Sequence, residues 1–150
     1  MKIAKKDKFT IDIPVAYFMP ADFKSRSSFY KRLDNKYDLR RTFKIRYPFY
    51  SDIYQYNKRE GDCLKLNVKS FKSFGLVVTP TIYDPITIDA VDNALIRLKN
   101  YICKEGIKEI QLSTEGLGNH IDIDELKESL FNWFNLCDVT IYILEGSNNG

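Results

Sequence analysis

The residues best suited to hold a ligand are Ser113, Thr114, Glu115, Gly116, Leu117, Gly118 and Asn119, a run that combines hydroxyls, a carboxylate, an amide and two glycines. Short polar side chains can bond sugar hydroxyls, and glycines let a backbone approach a ligand closely. Between a strand and the following helix, such a run sits where open parallel sheets bind anions and nucleotides. The same glycines can also serve only a tight turn, and the run lacks a phosphate fingerprint of the G-x-G-x-x-G type. Glu115 would repel a diphosphate unless it turns outward or takes a ribose hydroxyl. His120 beside Asp122 has the ingredients of a base oriented by a carboxylate. One histidine in a polar loop is more simply a solvent-facing side chain, and Asp122 and Asp124 fit the cap and first turn of a helix. No catalytic residue is assigned.

The elements that must position this run are best marked from Gly75 onward. Residues 75–80 form a short apolar, β-branched run closed by Pro80, as in a strand buried on both faces. Ile88, Val91, Leu95, Leu98 and Ile102 recur at spacings of 3, 4, 3 and 4, a helical stripe with Thr87 as N-cap and Gly106 as stop. Residues 107–112 read as a second strand. Asp122 followed by Glu125 starts a helix whose face carries Leu126, Leu130, Trp133 and Phe134. Residues 139–144 are a third strand, and residues 145–150 a polar tail expected to fray. The result is βαβαβ with parallel strands and right-handed crossovers.

The first half is less regular. Phe9, Ile11 and Ile13 alternate as in a half-buried strand, which residues 15–19 continue past Pro14. A helix is expected from near Asp22 with Phe23, Tyr30, Leu33 and Tyr37 on one face. Phe43, Ile45 and Tyr47 alternate with Thr42, Lys44 and Arg46, and Leu64, Leu66 and Val68 with Lys65, Asn67 and Lys69, so both segments read as strands with one wet face.

A chain of 150 residues, 44% hydrophobic and 14% aromatic, is expected to form one ordered domain over residues 1–150. Cys63, Cys103 and Cys137 show no C-x-x-C pair, so reduced thiols are expected, with no metal site and no cofactor. The basic start is followed by Asp12, Pro14 and Pro20, which break any signal-peptide apolar run, and no stretch reaches the roughly 20 apolar residues of a membrane span. A cytoplasmic location away from membranes is expected. Net charge is only +3. Lys31, Arg32, Lys36, Arg40, Arg41, Lys44 and Arg46 interleave with Tyr37, Phe43, Tyr47, Phe49, Tyr50, Tyr54 and Tyr56, a composition able to hold single-stranded nucleic acid. Inward rings and wet-face cations on strands explain that pattern without a partner, so nucleic acid is not expected.

With this order of elements, residues 74–144 resemble the C-terminal half of a macro domain, the ADP-ribose-binding α/β/α fold, in the branch of the terminal ADP-ribose protein glycohydrolase. The matching features are the strand from Gly75 to Thr79, the helix around Asn93 to Leu98, the segment from Gly106 to Ile110, the glycine loop and the closing strand. The resemblance implies a three-layer α/β/α fold with a mixed sheet whose C-terminal half is parallel. It further implies that residues 113–119 contact the ribose and phosphates of ADP-ribose or a related nucleotide, with Thr79, Thr81 and Tyr83 as a neighbouring wall.

The departures are equally specific. The family's first-half glycine-rich loop has no counterpart after residues 15–20, so one wall of the pocket is missing or rebuilt. The glycohydrolase branch carries a lysine where this chain has Pro80 and Thr81, and an aspartate most nearly matched by Asn119. Without an amine no Schiff base forms on the opened sugar, and an amide is no general base. Binding is therefore expected in preference to ADP-ribosyl hydrolysis. The alternative is a degenerate macro-like fold with a closed pocket that binds a cellular or host protein as an interaction module or inhibitor; single-stranded nucleic-acid binding ranks third. The small size and richness in tyrosine and lysine also resemble early proteins of tailed phages with AT-rich genomes.

Overall fold

The computed structural model describes residues 1–25, 27–48, 50 and 59–145. Its strands are β1 (Lys2–Lys6), β2 (Val15–Pro20), β3 (Cys63–Val68), β4 (Phe71–Thr79), β5 (Glu109–Ser113) and β6 (Thr140–Leu144). The helices are α1 (Ser28–Tyr37), α2 (Leu39–Arg46), α3 (Ile88–Glu105) and α4 (Ile123–Phe134). One six-stranded sheet runs β1-β6-β5-β2-β4-β3, parallel throughout except for the antiparallel pair of β3 with β4. The connection from β4 through α3 to β5 passes over β2, which lies between the two strands.

β2 is buried at every position because both faces of the sheet are covered. Ala16 and Phe18 join Leu76 and Val78 in a core beneath α3 and α4, while Val15, Tyr17 and Met19 join Val77 in a second core beneath α1 and α2. These are the three layers expected from the sequence. The second core is largely aromatic, and within it the Tyr17 hydroxyl is paired with Ser73 Oγ at 2.7 Å.

The helices of the second half begin and end where their capping residues dictate. Thr87 accepts the Ala90 amide, Gly106 closes α3 in the left-handed region, and Asp122 accepts the Glu125 amide. In the first half the structure departs from the sequence reading in three places. Residues 39–46 are helical rather than extended: Leu39 and Phe43, four apart, form the buried face, and Ile45, which the strand reading turned inward, is 70% exposed. Asp38, at φ 58°, ends α1 and starts α2. The segment at Phe9, Ile11 and Ile13 is a turn, because its backbone bonds to a side chain instead of a strand. Buried Gln111 accepts the Thr10 amide at 3.0 Å and donates to the carbonyls of Thr10 and Ile13 at 2.7 and 2.9 Å. The edge strand preceding it, β1, has too many lysines to read as one. Finally, α1 starts at Ser28 rather than near Asp22, with Ser27 accepting the Tyr30 amide. The expectations for Phe49, Tyr54, Tyr56 and the tail from residue 146 lie outside the described residues.

Cys63 is buried, Cys137 half-buried and Cys103 exposed, all as free thiols. No helix among the described residues is long and apolar enough to cross a membrane.

Candidate functional site

Parallel pairing sets the carboxyl ends of β2, β4 and β5 side by side. Tyr17 pairs with Ser113 and, after a register shift beyond Met19, Pro20 pairs with Thr79. Three loops therefore leave the same edge of the sheet, and each is tied to another. The Ala21 amide donates to the Thr79 carbonyl at 2.8 Å, joining the first loop to the second. The Ile86 amide donates to His120 Nδ1 at 3.4 Å, joining the second to the third. The Phe29 amide, in the first turn of α1, donates to Glu115 Oε2 at 2.7 Å, joining the third to the first.

In the third loop, residues 115–117 form one turn of 3-10 helix, with the amides of Leu117 and Gly118 donating to the carbonyls of Thr114 and Glu115, both at 3.0 Å. Gly116 is required by close approach: a β-carbon there would overlap the Phe18 carbonyl oxygen of β2. Gly118 takes φ 55° and ψ −132°, a conformation that favours glycine, and turns the chain toward exposed Asn119 and His120. Leu117 points into the core beneath α3 and α4. Ser113 and Thr79 are buried. The positions of this run that face solvent are Thr114, Glu115, Gly118 and Asn119.

Glu115 answers the electrostatic objection raised by the sequence. Its carboxylate faces the amino end of α1, a helix with no acidic residue in its own first turn. There it supplies the negative charge that orphan amides and the helix dipole favour. In the second loop, Thr81 donates its amide and hydroxyl to Asp84 Oδ2 at 2.9 and 2.7 Å, and its hydroxyl accepts the Tyr83 amide at 3.2 Å. Tyr83 itself is 85% exposed.

The rebuilt first wall has no sequence signature. Phe23, at φ 65° and fully buried, adopts a conformation unusual for a bulky residue. Its ring stacks on Phe43 at 5.2 Å and on Tyr50 at 5.7 Å, its amide donates to the Pro20 carbonyl, and its own carbonyl accepts the Tyr30 hydroxyl. An aromatic anchor thus holds the loop that follows β2, where the sequence lacks a glycine-rich segment. Asp22 and exposed Lys24 lie on this loop, with the Lys24 amide donating to Asp22 Oδ1 at 3.0 Å. Sequence reasoning missed both as site candidates, because an expected helix had absorbed them.

This chain has the macrodomain fold: a mixed six-stranded sheet between two helical layers, with its exposed glycine loop at the carboxyl ends of the parallel strands. It is similar to the macrodomain of Mycobacterium tuberculosis DarG, with a TM-score of 0.76 and 14% identity over 95% of this chain and 96% of that one. The macrodomain of Thermus aquaticus DarG gives a TM-score of 0.74 and 12% identity over 96% and 97% of the two chains. Thermosipho africanus DarTG in complex with ADP-ribose gives 0.68 and 10%, over 87% of this chain and 37% of that one. The sequence matches no family model and no curated protein.

Proposed function

We propose that this protein binds ADP-ribose or a related nucleotide at the carboxyl ends of β2, β4 and β5, without the lysine-based hydrolysis of the glycohydrolase branch. The observation that carries this reading is the convergence of three cross-tied loops on one sheet edge, with Gly116 packed against β2 and Gly118 and Asn119 left facing solvent. Similarity in fold to a protein solved with ADP-ribose supports the choice of ligand. Asn119 can both donate to and accept from ribose hydroxyls, and Lys24 offers a cation to phosphates. Pro80 stands where the branch carries its lysine, and the Thr81 hydroxyl is engaged with Asp84. The proposed setting is the cytoplasm, that of an infected host if the chain is phage-encoded.

Calorimetry with ADP-ribose, NAD and ADP tests this reading. The expected result is binding of ADP-ribose that weakens about tenfold in Asn119→Ala, the scale of one lost hydrogen bond to ligand. Absence of binding to all three at millimolar ligand sinks it. Release of ADP-ribose from a modified substrate well above background would overturn the preference for binding over hydrolysis. A second reading, an interaction or inhibitor module with a closed groove, draws on Glu115, whose carboxylate already holds an amide at the sheet edge. One stoichiometric protein partner captured by a protein that binds no nucleotide would favour it.

A further inference from the structure

We propose that the groove between α2 and the outer edge of β3 is a second binding surface, one that takes a single strand of nucleic acid. The folding of residues 39–46 as a helix is what creates it. As a strand, the segment would have turned its rings inward and spread its cations along one face. As a helix it carries Arg40, Arg41, Lys44 and Arg46 and no acid, all four exposed, and it turns Thr42, Ile45 and Arg46 toward β3. A groove of about 640 Å³ opens beside it, with Arg46, Tyr47, Lys65, Asn67 and Tyr101 in its walls. A second hollow of about 330 Å³ shares Tyr101 and adds Arg97, Asn100 and Lys104. Arg97, Tyr101 and Lys104 follow one another along one face of α3 at helical spacing, so the two hollows form one cationic track.

Its acids are already engaged. Asp62 pairs with Arg97 at 3.0 Å, and Glu105 with Lys65 and Lys72 at 2.8 and 2.7 Å. Of the track's own cations, Arg46 and Lys104 make no ion pair among the described residues. The guanidinium of Arg46 lies over the Tyr47 ring, 5.3 Å from its centre, a cation–π pair of the kind that contributes in single-strand grooves.

Charge alone would also suit an acidic protein, but a protein adding a strand to β3 needs the outward carbonyl of Lys65. The Tyr47 hydroxyl already donates to it at 2.8 Å. What the edge still offers is side chains: exposed Arg46 and Lys104 with half-exposed Tyr47 and Tyr101. The groove lies beside Lys65 and Asn67, which pair with Phe74 and Lys72 near the start of β4. The candidate nucleotide loops leave the other end of that strand, so the two surfaces are separate and neither proposal depends on the other.

The experiment is fluorescence anisotropy of a labelled oligothymidylate of about 20 nucleotides, titrated with the whole chain across about 50 to 200 mM salt. Affinity is expected to fall with salt. In Arg46→Glu with Lys104→Glu it is expected to drop at least about tenfold, with a salt slope shallower by about 1.4 for two phosphates released. Arg46→Ala alone tests the same surface if the double variant misfolds. Lys127→Glu on α4 should bind as the parent does, and calorimetric ADP-ribose binding should be unchanged in every variant. Absent binding at low salt, or binding that all these substitutions leave unaltered, overturns the proposal. Equal competition by polyglutamate of matched charge also overturns it, in favour of an acidic protein.

Discussion

At the scale of single residues, the site depends on contacts that cannot be guessed from side-chain chemistry. Gly116 looks like a ligand residue and is a packing residue. Any β-carbon there meets the backbone of Phe18, which cannot rotate away. Gly116→Ala is therefore expected to lose about 1–3 kcal/mol in urea unfolding, the cost of overpacking a closed contact. A glutamate at this position would unfold the site rather than block it selectively, because its β-carbon meets the same backbone. Glu115 has the opposite character: half-exposed, yet holding the Phe29 amide. Glu115→Ala removes a charged acceptor from a helix N-terminus and is expected to cost about 1 kcal/mol by the same measurement. An unchanged midpoint in Glu115→Ala would show that the amide is satisfied equally well without it.

At the scale of elements, a small ionic cluster joins the outer strands to α3. Glu105, in the last turn of α3, accepts from Lys65 of β3 and Lys72 of β4. Hydrogen bonds from Lys65 and then Lys72, reinforced by their charges, hold its carboxyl below the ordinary glutamate range. A carboxylate depressed on folding contributes stability that is fully present above its unfolded pKa and is lost as pH falls through the folded value. Glu105→Gln is accordingly expected to destabilise the protein at neutral pH and to flatten the acid limb of its stability curve below about pH 4.5. Chemical denaturation at a series of pH values reads both effects; parallel curves for parent and variant would refute the role. Asp122→Ala removes the acceptor for the Glu125 amide and should cost a further ~1 kcal/mol, since α4 has no other N-cap side chain.

At the scale of the molecule, two cores share one sheet, and β2 contributes to both. Binding at the sheet edge must therefore report on the stability of the whole. ADP-ribose at about ten times its Kd is expected to add about 1.4 kcal/mol, a rise in Tm of roughly 3–6 °C for a chain of this size. Oligothymidylate should shift Tm independently, because its groove lies at the opposite end of β4. A combined shift much smaller than the sum of the two would mean that the ligands compete for one surface.

The second half of the fold was legible in the sequence because its signals are local. Thr87, Gly106 and Asp122 mark helix ends by bonds to neighbours a few residues away, and the stripe from Ile88 to Ile102 needs no partner to be seen. The order of these elements, with the glycine loop between the last strand pair, was enough to indicate a macro-domain-like fold. The first half was not legible, because its conformation is decided by distant contacts. Residues 39–46 satisfy both periods, and only the aromatic core under α1 and α2 selects the helix by burying Leu39 and Phe43 together. Gln111, read as part of a strand, fixes a turn a hundred residues earlier through its amide. Phe23 gives no sign of a left-handed backbone until Phe43 and Tyr50 are brought against its ring. Sequence alone thus determined the elements whose bonds close within a few residues; tertiary structure decided which glycine packs, which carboxylate caps and which cations line a groove, since those depend on chain segments that meet only after folding.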